Sequence, residues 1–271
     1  MRRYLSFLIL CLFMQTARAQ FSEAGVLLGG SYYVGDLNPN IHFLQTHFAG
    51  GIVYRYNFNP RLSFKGSILS GTVEGNDQVS HFNEKRNLSF KSNVTDFSAQ
   101  FEFNFFNYST GNERYPFSPY VFVGIAAFKF NPKAEYNGKW YYLQPLGTEG
   151  QGTSEYPDRK PYSLFSYSIP FGLGLKYSVA KILCVGAEYG IRRSFTDYLD
   201  DVSKTYADPM VLGYENTPTA TALGDRSSDP NANIDRQRGN SKTKDWYAFF
   251  GIFVTFKLDV IHEKCPAYDS D

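Results

Sequence analysis

Residues 97–105 read FSAQFEFNF. Phe97, Ala99, Phe101, Phe103 and Phe105 fall on one side of an extended chain, and Ser98, Gln100, Glu102 and Asn104 on the other. A period of two argues for a strand whose two faces meet different environments. In a soluble sandwich the rings pack inside and Glu102 meets water. In a transmembrane β-barrel the rings face lipid and Glu102 faces the lumen.

The same alternation recurs along the chain. Phe48, Gly50, Ile52, Tyr54, Tyr56 and Phe58 oppose Gly51, Val53, Arg55 and Asn57. Leu62, Phe64, Gly66 and Ile68 oppose Ser63, Lys65, Ser67 and Leu69. In the next segment Tyr120, Phe122, Gly124, Ala126, Phe128 and Phe130 read as the outer face, opposite Val121, Val123, Ile125 and Lys129. Alternation continues through 166–177, 183–192 and 246–257, and a first segment spans 23–35. That makes eight strands. Their polar faces carry Glu23, Arg55, Lys65, Glu102, Lys129, Lys176, Glu188, Arg192 and Lys257.

Connections separate the two architectures. Short turns near 57–61, 109–116 and 179–181 alternate with longer ones near 36–46, 75–92, 132–161 and 196–242. This is the asymmetry of an outer-membrane barrel, with periplasmic turns on one rim and external loops on the other. An even strand number then leaves both chain ends periplasmic. Tyr32, Tyr33, Tyr54, Tyr56, Tyr120, Tyr177 and Trp246 suit interfacial girdles. The expected fold is all-β: an eight-stranded antiparallel up-and-down transmembrane barrel with a plugged lumen and long external loops.

Composition agrees. Aromatics make up 18% of the 271 residues, with 21 Tyr, 25 Phe and 23 Gly. Past the N-terminus no apolar run reaches the roughly 18 residues a membrane helix needs. The opening MRRYLSFLILCLFMQTARAQ has the layout of a secretory signal: Arg2 and Arg3, an apolar stretch from Tyr4 to Met14, and Ala17-Arg18-Ala19 before Gln20. The expected organisation is a signal peptide over 1–19, the barrel over 20–258 and a periplasmic tail over 259–271. Losing Arg2, Arg3 and Arg18 takes the formal charge from +1 to −2, which gives nucleic acid no basic field to bind. Outer-membrane lipid is the expected surrounding.

An eight-stranded bore is just wide enough for side chains to fill. Charges enclosed there must be paired. The expected lumenal ion-pair network is Glu23, Arg55, Lys65, Glu102, Glu188 and Arg192, with Glu102 and Glu188 among the acceptors. No catalytic, cofactor or metal set emerges, and the chain reads as a non-enzyme. Ser80-His81, His42 and His47 lie in loops that give a hydrolytic dyad no rigid support. The run Gly147-Thr148-Glu149-Gly150-Gln151-Gly152 lacks the lysine and the helix of a phosphate loop. Asp197, Asp200, Asp201, Asp208, Asp225, Asp229 and Asp235 fit no calcium-loop spacing and read as solvated loop acids.

Three stretches carry a family resemblance: EAGVLLGGSYYVGDLNP (23–39), YRYNFNPR (54–61) and, most discriminating, FNPKAEYNGKWYYLQPLGTEGQG (130–152). With the terminal strand, the chain resembles the outer-membrane barrels of the PorG type over essentially its whole mature length. The resemblance implies a component of the type IX secretion system of Bacteroidota, held in the outer membrane above a periplasmic ring. That ring is built from a PorK-like lipoprotein and a PorN-like partner, and the barrel would anchor it or help assemble it. A narrow channel, a surface adhesin and a lipid-modifying enzyme are the alternatives.

The contact with the ring is expected on the tail, at Cys265 with His262 and Lys264 beside it. After the signal, the cysteines are Cys184 and Cys265. Cys265 can bridge to a partner, bridge to Cys184 or stay free, since an exported compartment permits a disulfide.

Overall fold

A computed structural model of the protein describes residues 21–258. Ten strands lie in one antiparallel sheet: β1 (Phe21–Val34), β2 (His47–Asn57), β3 (Leu62–Asn76), β4 (Ser89–Asn104), β5 (Phe117–Lys129), β6 (Pro132–Tyr136), β7 (Lys139–Tyr142), β8 (Phe165–Ser178), β9 (Leu183–Ser194) and β10 (Trp246–Lys257). Eight of them close a barrel in the order β1–β2–β3–β4–β5–β8–β9–β10. Closure is made by β10 on β1, from Glu23↔Lys257 to Val34↔Trp246, and it leaves the wall without a free edge. β6 and β7 form a hairpin outside the wall, docked on β4 through Lys91↔Lys133 and Ser92↔Pro132.

The wall is inside out relative to a soluble protein. Phe48, Ile52, Phe101, Tyr167, Leu173 and Ile252 are exposed on the outside, while Arg55, Lys65, Glu102 and Lys176 are buried within. This inversion is what a hydrocarbon surrounding selects, because closed barrels satisfy every backbone hydrogen bond internally. Among the described residues no helix is long and apolar enough to cross a membrane; the strands present the apolar band instead.

β5 departs from its sequence reading. Tyr120, Phe122, Ala126 and Phe128 point inward and are buried, Phe122 being 4% exposed, whereas Val123 and Ile125 are 55% and 71% exposed on the outside. The reason lies on the neighbouring strands. A β-carbon added to Gly174 of β8 would lie 2.5 Å from the Tyr120 ring, and one on Gly190 of β9 would lie 2.7 Å from Phe122. The inward glycines of β8 and β9 leave volume, and the rings of β5 fill it. Lys129 accordingly stands outside and exposed instead of in the bore.

The girdle reading needs a similar correction. Tyr32, Tyr33 and Tyr120 are buried, whereas Tyr54 and Tyr177 are exposed on the outer wall. Tyr32 leaves β1 on the outer side but is covered by the following connection, where Phe43 packs at 4.9 Å between ring centroids and His42 accepts or donates at 3.0 Å.

The two rims also differ in character. At one, β2–β3 and β8–β9 are joined by tight turns over 58–61 and 179–182, and β4–β5 by the longer segment 105–116. At the other rim, connections over 35–46, 77–88, 130–164 and 195–245 fold together into a cap. The β4–β5 segment is as long as two of the cap connections, so the expected alternation of short and long breaks there. Its length is used to turn back into the bore, where Tyr108 and Thr110 are buried. The cap has an apolar centre of Leu37, Leu88, Ala134, Leu143, Leu199, Val202 and Leu223, continuous with the upper bore.

Val123→Arg introduces a charge on the hydrocarbon side. It is expected to destabilise the barrel in lipid vesicles by about 2–4 kcal/mol, read from urea unfolding followed by tryptophan fluorescence. No change would mean that Val123 does not face hydrocarbon.

Candidate functional site

The bore is closed by charge. Glu102 on β4 lies at the centre, with its carboxylate receiving Arg55 Nε at 2.8 Å and Lys176 Nζ at 2.6 Å, and with Lys65 Nζ at 3.5 Å. Arg55 spans to Glu23, where Nη1 donates to Oε2 at 2.8 Å, and Lys65 bonds Glu188. Hydroxyls occupy the remaining lone pairs. Thr255 donates to Glu23 at 3.0 Å, Tyr120 to Glu188 at 2.5 Å, and Thr110 also reaches Glu23. The aromatic rings serve the cations. Lys176 sits 4.4 Å from the Tyr120 centroid, Lys65 4.5 Å from Phe122 and Arg55 5.0 Å from Phe253.

Five residues of the expected network, Glu23, Arg55, Lys65, Glu102 and Glu188, thus meet in one cluster, joined by Lys176. Arg192 does not belong to it. Its Nη1 donates to the Gly190 carbonyl at 2.6 Å, its guanidinium stacks 4.8 Å from Phe249, and its carboxylate neighbour is Asp96, at 3.9 Å. Asp96 escaped the sequence reading because β4 begins eight residues before Phe97, at Ser89. Of the other polar-face charges, Lys257 lies at the turn rim over the Phe21 ring, at 5.0 Å.

A second cluster holds the cap together. The run 147–152 is the turn that delivers it, with Gly147, Gly150 and Gly152 all at positive φ. This turn buries Glu149, which accepts from the backbone amides of Ser203 and Lys204 at 2.9 and 3.1 Å and from Arg238 Nη1 at 3.1 Å. Asp201 accepts from Tyr162 at 2.7 Å and lies 3.5 Å from Arg238. The Tyr33 hydroxyl bridges Asp200 at 2.5 Å and Asp245 at 3.2 Å, tying the cap to β1. Arg86 forks onto Asp77 at 2.6 and 2.8 Å.

Carboxylates outnumber cations here. Burial raises Asp197 to about 7 and Asp201 to about 6, the latter against the pull of Arg238. Burial also lifts Asp200 and Asp245 well above the usual range, Asp200 further through the charge of Asp245. Arg238 is held above its ordinary value, since Glu149 and Asp201 outweigh the cost of its burial. The loop acids therefore divide. Asp197, Asp200 and Asp201 are buried structural groups, contrary to the solvated reading, because the cap encloses them. Asp208 and Asp229 cap helical turns, and Asp225 is held by Ser227 and Asn233. Among the described residues no group of His, Cys, Asp and Glu could hold a metal ion.

The histidines are dispersed. His47 pairs with Glu74 at 2.7 Å, exposed His81 with Glu84 at 2.5 Å, and Ser80 bonds the Asp77 carbonyl at 3.4 Å instead of its neighbouring imidazole. Cys184 is buried at the turn end of β9 and has no disulfide partner among the described residues. Cys265, His262 and Lys264, like the signal segment 1–19 and the tail 259–271, lie outside the described residues.

Removing one partner from a buried charge cluster leaves the others uncompensated, at a cost of about 3–5 kcal/mol. Glu102→Ala, which leaves Lys176 without a carboxylate and takes one of two from Arg55 and from Lys65, is expected to lose that much in a denaturant titration of the detergent-folded barrel, and a cost below about 1 kcal/mol would show the cluster to be hydrated. The cap carries a pH dependence of defined sign. Carboxylates raised from about 4 when unfolded to about 6 and 7 when folded stabilise fully below pH 4 and lose that contribution as pH rises through those values. Cap cleavage in limited proteolysis, normalised to an unstructured substrate, is expected to accelerate from pH 5 to pH 8, and Asp197→Asn to flatten the rise.

Comparison with known proteins places the fold in context. The chain is similar to the attachment invasion locus protein Ail of Yersinia pestis, solved with the heparin analogue sucrose octasulfate, at 12% identity and a TM-score of 0.43, with 89% of this chain and 100% of that one covered. It is also similar to the N-terminal β-barrel domain of Pseudomonas aeruginosa OprF, at 14% identity, coverages of 89% and 100%, and a TM-score of 0.39. A third is the outer membrane protein OprG of Pseudomonas aeruginosa, at 9% identity, coverages of 89% and 97%, and a TM-score of 0.41. No curated protein matches the chain. The eight-stranded barrel is built here on a sequence whose residues 2–217 match the family model described as domain of unknown function (DUF6089), and the chain belongs to that family.

Proposed function

We propose that this chain is a non-catalytic barrel of the bacterial outer membrane that anchors or helps assemble the periplasmic ring of a type IX secretion system. The observation that carries the reading is the closed bore. Glu102 and its three cations fill the middle, Tyr108 and Thr110 fill the turn end, and the cap covers the loop end. A bore so filled leaves a membrane anchor's work to the rims.

The turn rim is the one that suits a periplasmic partner. β1 begins there and β10 ends there. With the cap facing outward, both chain ends are periplasmic, as in barrels of even strand number. The partners are the PorK-like lipoprotein and the PorN-like protein implied by the resemblance, and Cys265, flanked by His262 and Lys264, is the contact. Cys184 is a poor alternative for the tail. It is buried in the wall beside Tyr108 of the β4–β5 segment.

Affinity purification of the tagged barrel from native membranes under non-reducing conditions tests this. Ring proteins are expected to co-purify with the full chain and to be lost when 259–271 are removed. A heavy disulfide-linked species is expected to vanish in Cys265→Ser and persist in Cys184→Ser. Ring proteins retained by the shortened chain would remove the tail from the contact, and their absence from the full chain would overturn the anchor reading.

A further inference from the structure

A concavity of about 780 Å³ opens in the cap between the β3–β4 connection and the β9–β10 connection. Its charged lining is unbalanced in a specific way. Of its cations, only Arg86 is paired with a carboxylate, through the fork onto Asp77. Both of its acids are engaged elsewhere. Glu84 binds His81 at 2.5 Å, and Asp229 accepts the Ala232 amide at 3.3 Å as the cap of a helical turn. Lys85, Arg226 and Arg236 are left without a carboxylate partner among the described residues. Arg226 is held in place by Ser89 at 2.9 Å, while Lys85 and Arg236 are exposed.

The rest of the lining is amide-rich, with Asn83, Asn87 and Gln237 beside the three cations. Cations supply charge-assisted hydrogen bonds to phosphate oxygens, and amides supply donor–acceptor pairs that match adjacent sugar hydroxyls. The volume suits one or two sugar rings. We infer that this concavity binds an anionic, phosphate-bearing sugar, with Lys85, Arg226 and Arg236 as its phosphate ligands. The inference is independent of the secretion reading. The same chemistry occurs in a lipopolysaccharide headgroup beside the barrel and in a free phosphosugar.

The full chain in neutral-detergent micelles is titrated with glucose 1-phosphate, with glucose as the uncharged control. Binding of the phosphosugar and not of glucose is expected. It should weaken as salt is raised from about 50 to 300 mM, as screening requires. Lys85→Ala/Arg236→Ala is expected to lower affinity by about tenfold or more. Lys85→Arg/Arg236→Lys should retain it, which separates lost charge from lost structure. A second arm places the barrel in nanodiscs with or without lipopolysaccharide. Competition by the lipid assigns the site to a headgroup, and its absence assigns it to a soluble phosphosugar. No binding of glucose 1-phosphate, or equal affinity in the double-alanine variant, overturns the inference.

Discussion

The structure depends on one constraint: a bore too narrow for bulk water must hold charges it cannot solvate. Each ion taken from water costs several kcal/mol, and mutual attraction offsets this only when geometry is good and every lone pair is used. Glu102 meets the condition by receiving three cations, Arg55, Lys176 and Lys65. Glu23 and Glu188 complete the alternation of sign, and hydroxyls of Thr110, Thr255 and Tyr120 take up what the cations leave. The network crosses β1, β2, β3, β4, β8 and β9, so it ties together through the interior strands that are not neighbours in the sheet.

The aromatic rings answer two different demands. Outside, Phe101, Tyr167 and Leu173 present the apolar surface that hydrocarbon requires. Inside, Tyr120, Phe122 and Phe253 lie over Lys176, Lys65 and Arg55, where their faces stabilise cations at no cost in further buried charge. One residue class therefore serves both sides of the wall, and aromatic content alone does not say which way a strand faces.

The cap follows the opposite logic. Its buried carboxylates exceed its cations, and it is held by backbone amides and tyrosine hydroxyls bonded to Glu149, Asp200, Asp201 and Asp245. Such a cluster is stable in proportion to its protonation, so the cap loosens as pH rises. The bore is a fixed plug. The cap is the region whose packing external conditions can shift, and it carries the open concavity.

Strands with a clean polar face were legible in residue order alone. In 97–105, side chains alternate by geometric necessity, and one charged residue is enough to mark the lumenal face. The same reasoning reached five members of the charge network and the closed, even-numbered barrel. It failed on β5, where both faces are apolar and only the inward glycines of β8 beside it and of β9 next along decide which one turns inward. It also failed on Glu149, Asp200 and Asp201, which are ordinary loop acids until distant connections fold over them, and on Arg192, whose partner Asp96 lies beyond the cleanest alternation. The sequence by itself determined the period of the strands, the lumenal face of those with a clean polar side and the number of crossings, because these follow from neighbours along the chain. Which side chains fill the bore, which charges meet and which loop acids are sealed from water only the tertiary structure decided, because volume and desolvation are set by residues far apart in the chain.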